Sequence, residues 1–100
     1  KKIGYSILST NFVGKRGEID IIAAKDEVLC FVEVRSLEKT DYGTPDLTVD
    51  KRKQSRIISV ANEYIKKNNV SDRVIRFDVV SVTGPDFELN HILNAFESRY

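Results

Sequence analysis

Residues 17–36 read Gly17-Glu18-Ile19-Asp20-Ile21-Ile22-Ala23-Ala24-Lys25-Asp26-Glu27-Val28-Leu29-Cys30-Phe31-Val32-Glu33-Val34-Arg35-Ser36. Two apolar runs, Ile19–Ala24 and Val28–Val34, flank a polar turn at Lys25-Asp26-Glu27. Ile, Val and Phe dominate both runs, the composition of buried strands, so the stretch predicts a β-hairpin. Asp20, Glu33 and Arg35 do not belong in an apolar core. A carboxylate buried there is costly unless it is paired or holds a cation.

A loop centred on Asp26-Glu27 sets a register in which facing residue numbers sum to about 53. Ala24 then faces Leu29, Ile22 faces Phe31, Asp20 faces Glu33 and Glu18 faces Arg35. Opposed side chains have Cβ atoms about 4.5–5.5 Å apart. Two carboxylates at that distance repel by about 3 kcal/mol at an effective dielectric near 20. A hard divalent cation such as Mg²⁺ between them resolves the conflict. The register is the sensitive step, because a slip of one residue turns one strand over.

Outward from the hairpin, Tyr5–Phe12 alternates loosely and predicts a first strand. Gly14-Lys15-Arg16-Gly17 is a turn carrying two cations, and Leu37–Pro45 reads as a polar loop. Asp46–Asn69 is the helical segment. Ile57, Ile58, Ala61, Tyr64 and Ile65 recur at helix spacing, Asp50 is the expected N-cap, and Asn68-Asn69 ends the helix. Val74–Val82 predicts a strand, Gly84-Pro85-Asp86 a turn, and Phe87–Ile92 a last strand. Asn94–Tyr100 is expected as a turn or short helix. The order strand, strand, strand, helix, strand, strand implies an α/β mixed sheet with one long crossover helix.

The chain has 100 residues, 31% charged and 41% apolar, with a formal net charge of +1. That is the size and composition of one globular domain. No apolar run approaches the roughly 18 residues of a membrane span, and no secretory signal is visible at the start. A single cysteine excludes an internal disulfide and fits a reducing cytoplasm. With so small a net charge, contact with a nucleic acid must rest on local clusters.

Two such clusters carry chemistry. Asp20, Glu33 and Arg35 can form a metal-dependent phosphodiester site: two carboxylates hold Mg²⁺, which polarises the phosphoryl oxygen and activates water, beside a fixed cation. The same residues can equally form an ion-pair network, with Arg35 neutralising Glu33 or Glu18. Spacing alone leaves both open. Lys51, Arg52, Lys53 and Arg56 crowd the start of the helix, where the macrodipole disfavours cations. Phosphate binding would relieve that conflict, whereas a solvated basic face is the plainer explanation. Elsewhere, His91 reads as structural, Cys30 as a small buried hydrophobe, Tyr42 as a loop aromatic, and Arg76 with Asp78 as a surface pair.

Several of these pieces occur together in a known order. Gly17–Ala23, Phe31–Arg35, Lys53-Gln54, Arg76–Val80 and Asn94-Ala95-Phe96 resemble the bacterial YraN-like family, which is uncharacterised in function. That family is assigned to the PD-(D/E)XK nuclease superfamily and is similar to archaeal Holliday-junction resolvases. The resemblance implies a restriction-endonuclease-like fold, Asp20 and Glu33 as ligands of Mg²⁺ or Mn²⁺, and residue 35 at the position of the superfamily lysine. Lys53 and Gln54 match its helix motif, so Lys51, Lys53, Gln54 and Arg56 are the expected DNA contacts, with Glu18 auxiliary. Arg35 departs from the superfamily lysine, since an arginine stays charged and cannot serve as a base. The family also carries an N-terminal helix with a glutamate, and residues 1–100 are expected as a single domain lacking it. The function implied is a cytoplasmic Mg²⁺-dependent DNA endonuclease, acting on branched DNA as a homodimer. The alternatives are a non-catalytic nucleic-acid-binding domain and a purely structural one.

Overall fold

Five strands and one helix account for nearly all of residues 4–38, 50–84 and 88–96, which the computed structural model describes. The strands are β1 (Ser6–Val13), β2 (Glu18–Lys25), β3 (Val28–Glu38), β4 (Val74–Gly84) and β5 (Glu88–Phe96), and the helix is α1 (Lys51–Lys67). They form one sheet in the order β1-β2-β3-β4-β5. Only β3 and β4 run parallel; the other neighbours are antiparallel. The helix lies in the β3–β4 connection, as a parallel pair demands. This is the restriction-endonuclease-like mixed sheet, with its central hairpin and crossover helix.

The hairpin has the expected register. Ala24 pairs with Leu29 and Ile22 with Phe31, and the ladder runs from Lys25–Val28 to Ile21–Val32. Asp26 takes the left-handed φ of 55° that its two-residue turn requires. Strand alternation gives β3 two faces. Leu29 and Phe31 join the core beneath α1. Cys30 and Val32 point the other way.

The helix starts where Asp50 accepts a hydrogen bond from the Lys53 amide at 2.8 Å, satisfying a donor that has no partner within the helix. Its buried stripe is Ile57, Ile58, Val60, Ala61 and Tyr64. Tyr64 meets Phe12 and Phe31 edge-on, at 5.2 and 6.0 Å between ring centroids. Phe31, Phe77 and Phe96 continue as a stacked row, 5.6 and 5.0 Å apart. Aromatic pairs of this kind contribute about 0.5–1.5 kcal/mol beyond area burial. At the far end Asn69 adopts φ 52° and donates to the Lys66 carbonyl, while the Val70 amide reaches Ile65. That is a left-handed close of the usual kind.

Four expectations need correction. β3 continues to Glu38, so Leu37 and Glu38 belong to a strand rather than to the loop. Asn94–Phe96 is strand, not turn or helix: the β4–β5 register slips between Phe77 and Val79, and Phe96 stacks on Phe77 beyond the slip. Asp78 is not a surface residue, being 1% exposed. β4 continues to Gly84, which was expected in a turn. His91, expected as structural, lies 2.8 Å from Asp78. The expectations for residues 1–3, 39–49 (Tyr42 included), 85–87 and 97–100 lie outside the described residues.

Asp78 is the polar centre of the sheet face turned away from α1. Arg76 donates to both of its carboxylate oxygens at 3.0 Å, and the Asn94 amide donates to Oδ1 at 2.9 Å. Arg76 also donates to the Tyr5 hydroxyl. Burial alone would raise the Asp78 pKa, but the bonds from Arg76, Asn94, Cys30 and His91 together hold it below the usual carboxylate range. Burial pushes the neighbouring Cys30 thiol up to about 12, which makes it an inert hydrophobe. A cavity of about 180 Å³ opens on this face, with Tyr5, Cys30, Asp78 and His91 in its wall. No helix among the described residues is long and apolar enough to cross a membrane.

Candidate nuclease-like site

Both candidate carboxylates lie where the hairpin ladder stops: the pairs expected at Asp20–Glu33 and Glu18–Arg35 fall beyond its last rung, Ile21–Val32. Ile19 and Ile22 both enter the core under α1 although they stand three positions apart. Ile21 and Ala23 line the cavity on the opposite face. Strict alternation therefore breaks beside Asp20. The last β2–β3 pair is Ile21–Val32, so the Val34 amide has no backbone partner on β2. Asp20 Oδ2 accepts from it at 2.8 Å, in place of a main-chain carbonyl. This bond fastens the Asp20 carboxylate to the peptide that joins Glu33 to Val34.

Glu33 is 9% exposed and shares the helix-side face of β3 with Leu29 and Phe31. A carboxylate so placed needs a charged partner. Lys53 supplies it from the first turn of α1, with Nζ 2.7 Å from Oε2. The Asp50 cap sets the backbone of that turn and thereby aims Lys53 across the sheet. Gln54, the next residue, is half-buried. Alternation puts Arg35 on the same face of β3, half-buried and in register with Ser81 of β4.

The remaining expected residues lie further out. Lys51 is exposed and Arg56 half-buried along the helix. Glu18 is exposed at the head of β2, in register with Val13. Ser81 is the residue that sequence reasoning overlooked. It is 0% exposed, on the face of β4 that carries Phe77 and Val79, and its hydroxyl finds no hydrogen-bond partner among the described residues. A serine within an apolar strand carries no motif. The only signal was that it replaces a hydrophobe in the run from Val79 to Val82.

Among the described residues no three His, Cys, Asp or Glu side chains converge on one point, so the acidic set here is the pair Asp20 and Glu33. Each has one oxygen engaged, by the Val34 amide and by Lys53 respectively. A hard cation of the Mg²⁺ type needs only one or two carboxylates, water and substrate phosphate. The donor chemistry fits that requirement, and the buried Ser81 hydroxyl adds an unused polar group on the same face.

Comparison with known proteins places the chain. The model of "Uncharacterised protein family UPF0102" matches residues 1–82. A UPF0102 protein of Clostridium perfringens is 44% identical over 100 residues, spanning 96% of this chain and 82% of the relative. One from Clostridioides difficile is 45% identical over 93 residues, spanning 93% and 82%. One from Persephonella marina is 40% identical over 97 residues, spanning 97% and 82%. The chain belongs to the UPF0102 family, the uncharacterised bacterial family to which its motifs point, and it shares that family's nuclease-like fold.

Proposed function

We propose that this protein is a DNA endonuclease dependent on Mg²⁺ or Mn²⁺, with Asp20 and Glu33 as the cation's protein ligands. The observation that carries the reading is the pair of carboxylates at the end of the hairpin ladder, one tied to the Glu33–Val34 peptide and the other buried under Lys53. When bound, the cation would polarise a phosphoryl oxygen and lower the pKa of a water. Arg35 stays charged throughout and would steady charge building on the phosphate. Lys53, whose ammonium carries three rotatable donors, would hold a phosphate oxygen beside Glu33. Lys51, Gln54 and Arg56 would hold the DNA backbone, with Glu18 at the rim. Residues 1–100 would act as one cytoplasmic domain, and a homodimer would present two sites to branched DNA.

The Lys53–Glu33 pair also favours a second reading. An ammonium already sits on the carboxylate, as it would in a DNA-binding domain that keeps the fold without turnover. One experiment separates the two. The full-length protein is incubated with linear, nicked and four-way DNA in Mg²⁺ and in Mn²⁺, beside Glu33→Gln. Cleavage that disappears in Glu33→Gln supports the endonuclease; DNA binding without cleavage supports the binding domain; neither would end both readings.

A further inference from the structure

The Gly14–Gly17 turn is fixed against the middle of α1. The Gly14 amide donates to the Gly17 carbonyl at 2.8 Å, which closes the turn. The Lys15 amide donates to Glu63 Oε2 at 2.9 Å, which holds the turn to the helix. The approach is so close that a Cβ at Gly14 would stand 2.8 Å from the Glu63 carboxylate and 3.0 Å from Val60. A cleft of about 590 Å³ lies between turn and helix, and Lys15, Arg16, Ser59, Glu63, Lys66 and Lys67 line it. All four cations are exposed. The single carboxylate facing them is already engaged by the Lys15 amide.

Spacing connects this cleft to the start of the helix. Arg52, Arg56, Ser59, Glu63 and Lys66–Lys67 succeed one another at steps of three or four residues, which puts them along one flank of α1. Lys66 and Lys67 also sit where the macrodipole favours cations, so their position costs the helix nothing. Lys53 and Lys66–Lys67 are about 20 Å apart along the axis at 1.5 Å per residue. That is about six phosphate steps of a B-form strand at 3.4 Å each.

We propose that the cleft between the Gly14–Gly17 turn and the C-terminal half of α1 is a second DNA-backbone site. It would grip phosphates about six base pairs from those nearest Lys53, with Lys15, Arg16, Lys66 and Lys67 as the contacts and Glu63 as the residue that aims the turn. The proposal rests on the nucleic-acid reading above and adds the path that the duplex takes across the protein. It requires a footprint running the length of α1 rather than one confined to its first turn. The grip is on phosphate and carries no base preference.

The test is binding of the full-length protein to fluorescent duplexes in Ca²⁺, followed by anisotropy between 50 and 200 mM salt. Replacing Lys15, Arg16, Lys66 and Lys67 together by Ser should lower the salt slope by about 3.6 units, since each of the four phosphate contacts contributes roughly 0.9. Over that fourfold salt range, the loss of affinity should shrink by roughly 150-fold. Glu63→Gln keeps an acceptor for the Lys15 amide and removes the negative charge, so it should tighten binding severalfold. Shortening the duplex until it cannot reach both ends of α1 should abolish the difference between wild type and the quadruple variant. Matching thermal melts of wild type and variants establish that the fold is intact. Wild-type binding with an unchanged slope in the quadruple variant overturns the second site alone. Failure of the wild type to bind any duplex overturns the nucleic-acid reading and this site together.

Discussion

The Lys53 ammonium lies 2.7 Å from the Glu33 carboxylate, and the two side chains differ in exposure, 42% for the lysine and 10% for the glutamate. The lysine can therefore swing to solvent while the glutamate stays behind. A divalent cation arriving at Glu33 would compete with Lys53 for the same charge.

Lys53→Ala should accordingly raise Mn²⁺ affinity severalfold, because the resident positive charge has gone. Stability should fall by about 1–3 kcal/mol, since Glu33 is left buried without its partner. Cleavage should fall by tenfold or more if Lys53 holds a phosphate oxygen. Calorimetric titration with Mn²⁺, set beside a cleavage assay on the same preparation, reads all three effects. Weaker Mn²⁺ binding in the variant would show that Lys53 organises the site rather than competing for it.

Asp20 allows structural and chemical roles to be separated. Its Oδ2 replaces a ladder carbonyl for the Val34 amide. Asp20→Asn can keep that bond through its amide oxygen, so stability should change by less than about 1 kcal/mol. Asp20→Ala cannot, and should cost about 1–3 kcal/mol for the unpaired amide. Both substitutions should abolish divalent binding and cleavage. Urea titrations give the stability difference and Mn²⁺ calorimetry the chemical one. If Asp20→Asn retained metal binding and cleavage, Asp20 would be a strand-pairing residue alone.

The sequence disclosed the hairpin register, the helix cap at Asp50 and the order of elements, because each rests on local chemistry: apolar alternation, a turn pair and a capping side chain. Spacing left Lys53 in a separate basic cluster at the helix start, and its pairing with Glu33 came only with the fold. The break in alternation beside Asp20 was hidden, since Ile19 and Ile22 look equally good in either phase and only the core beneath α1 chooses between them. The Asp78 cluster was hidden for another reason. Its partners come from four separate stretches, Tyr5, Cys30, Arg76 and His91–Asn94. Residues two apart on a strand give no sign that the sheet buries them. The length of β5 was misjudged for the same cause, because Asn94 is held in the strand by an Asp78 bond rather than by its own propensity.

Asp78 should dominate the acid limb of stability. Its folded pKa lies below the usual carboxylate range, so its stabilising contribution is complete above the unfolded value near 3.9. That contribution is lost as pH falls through the lower, folded value. Asp78→Asn leaves the Arg76 guanidinium without its partner and should cost about 3–5 kcal/mol at pH 7. The variant should also lose part of the steep decline below about pH 4 that the wild type shows. Urea midpoints measured from pH 7 to pH 3 on both proteins test this. Parallel curves would mean that other carboxylates carry the acid limb.

Ser81 gives the sharpest contrast between folding and function. Its hydroxyl is fully buried and unpartnered among the described residues, and an unmet buried polar group costs about 1–3 kcal/mol. Removing it should help the fold: Ser81→Ala leaves a cavity smaller than a water molecule and relieves the desolvation penalty, for a gain of about 1 kcal/mol. Ser81 is in register with Arg35, on the face that carries Glu33. If a water of the cation site or a phosphate oxygen completes the hydroxyl's bonding, Ser81→Ala should weaken Mn²⁺ or DNA binding about threefold to tenfold while the protein melts at a higher temperature. Ser81→Val lacks the hydroxyl and should repeat the binding loss; Ser81→Thr, its isostere that keeps a hydroxyl, should not. A stabilised Ser81→Ala protein with unchanged Mn²⁺ and DNA affinity would show that the hydroxyl serves no ligand. Stability and affinity moving in opposite directions is the signature of a polar group kept for binding at the expense of the core.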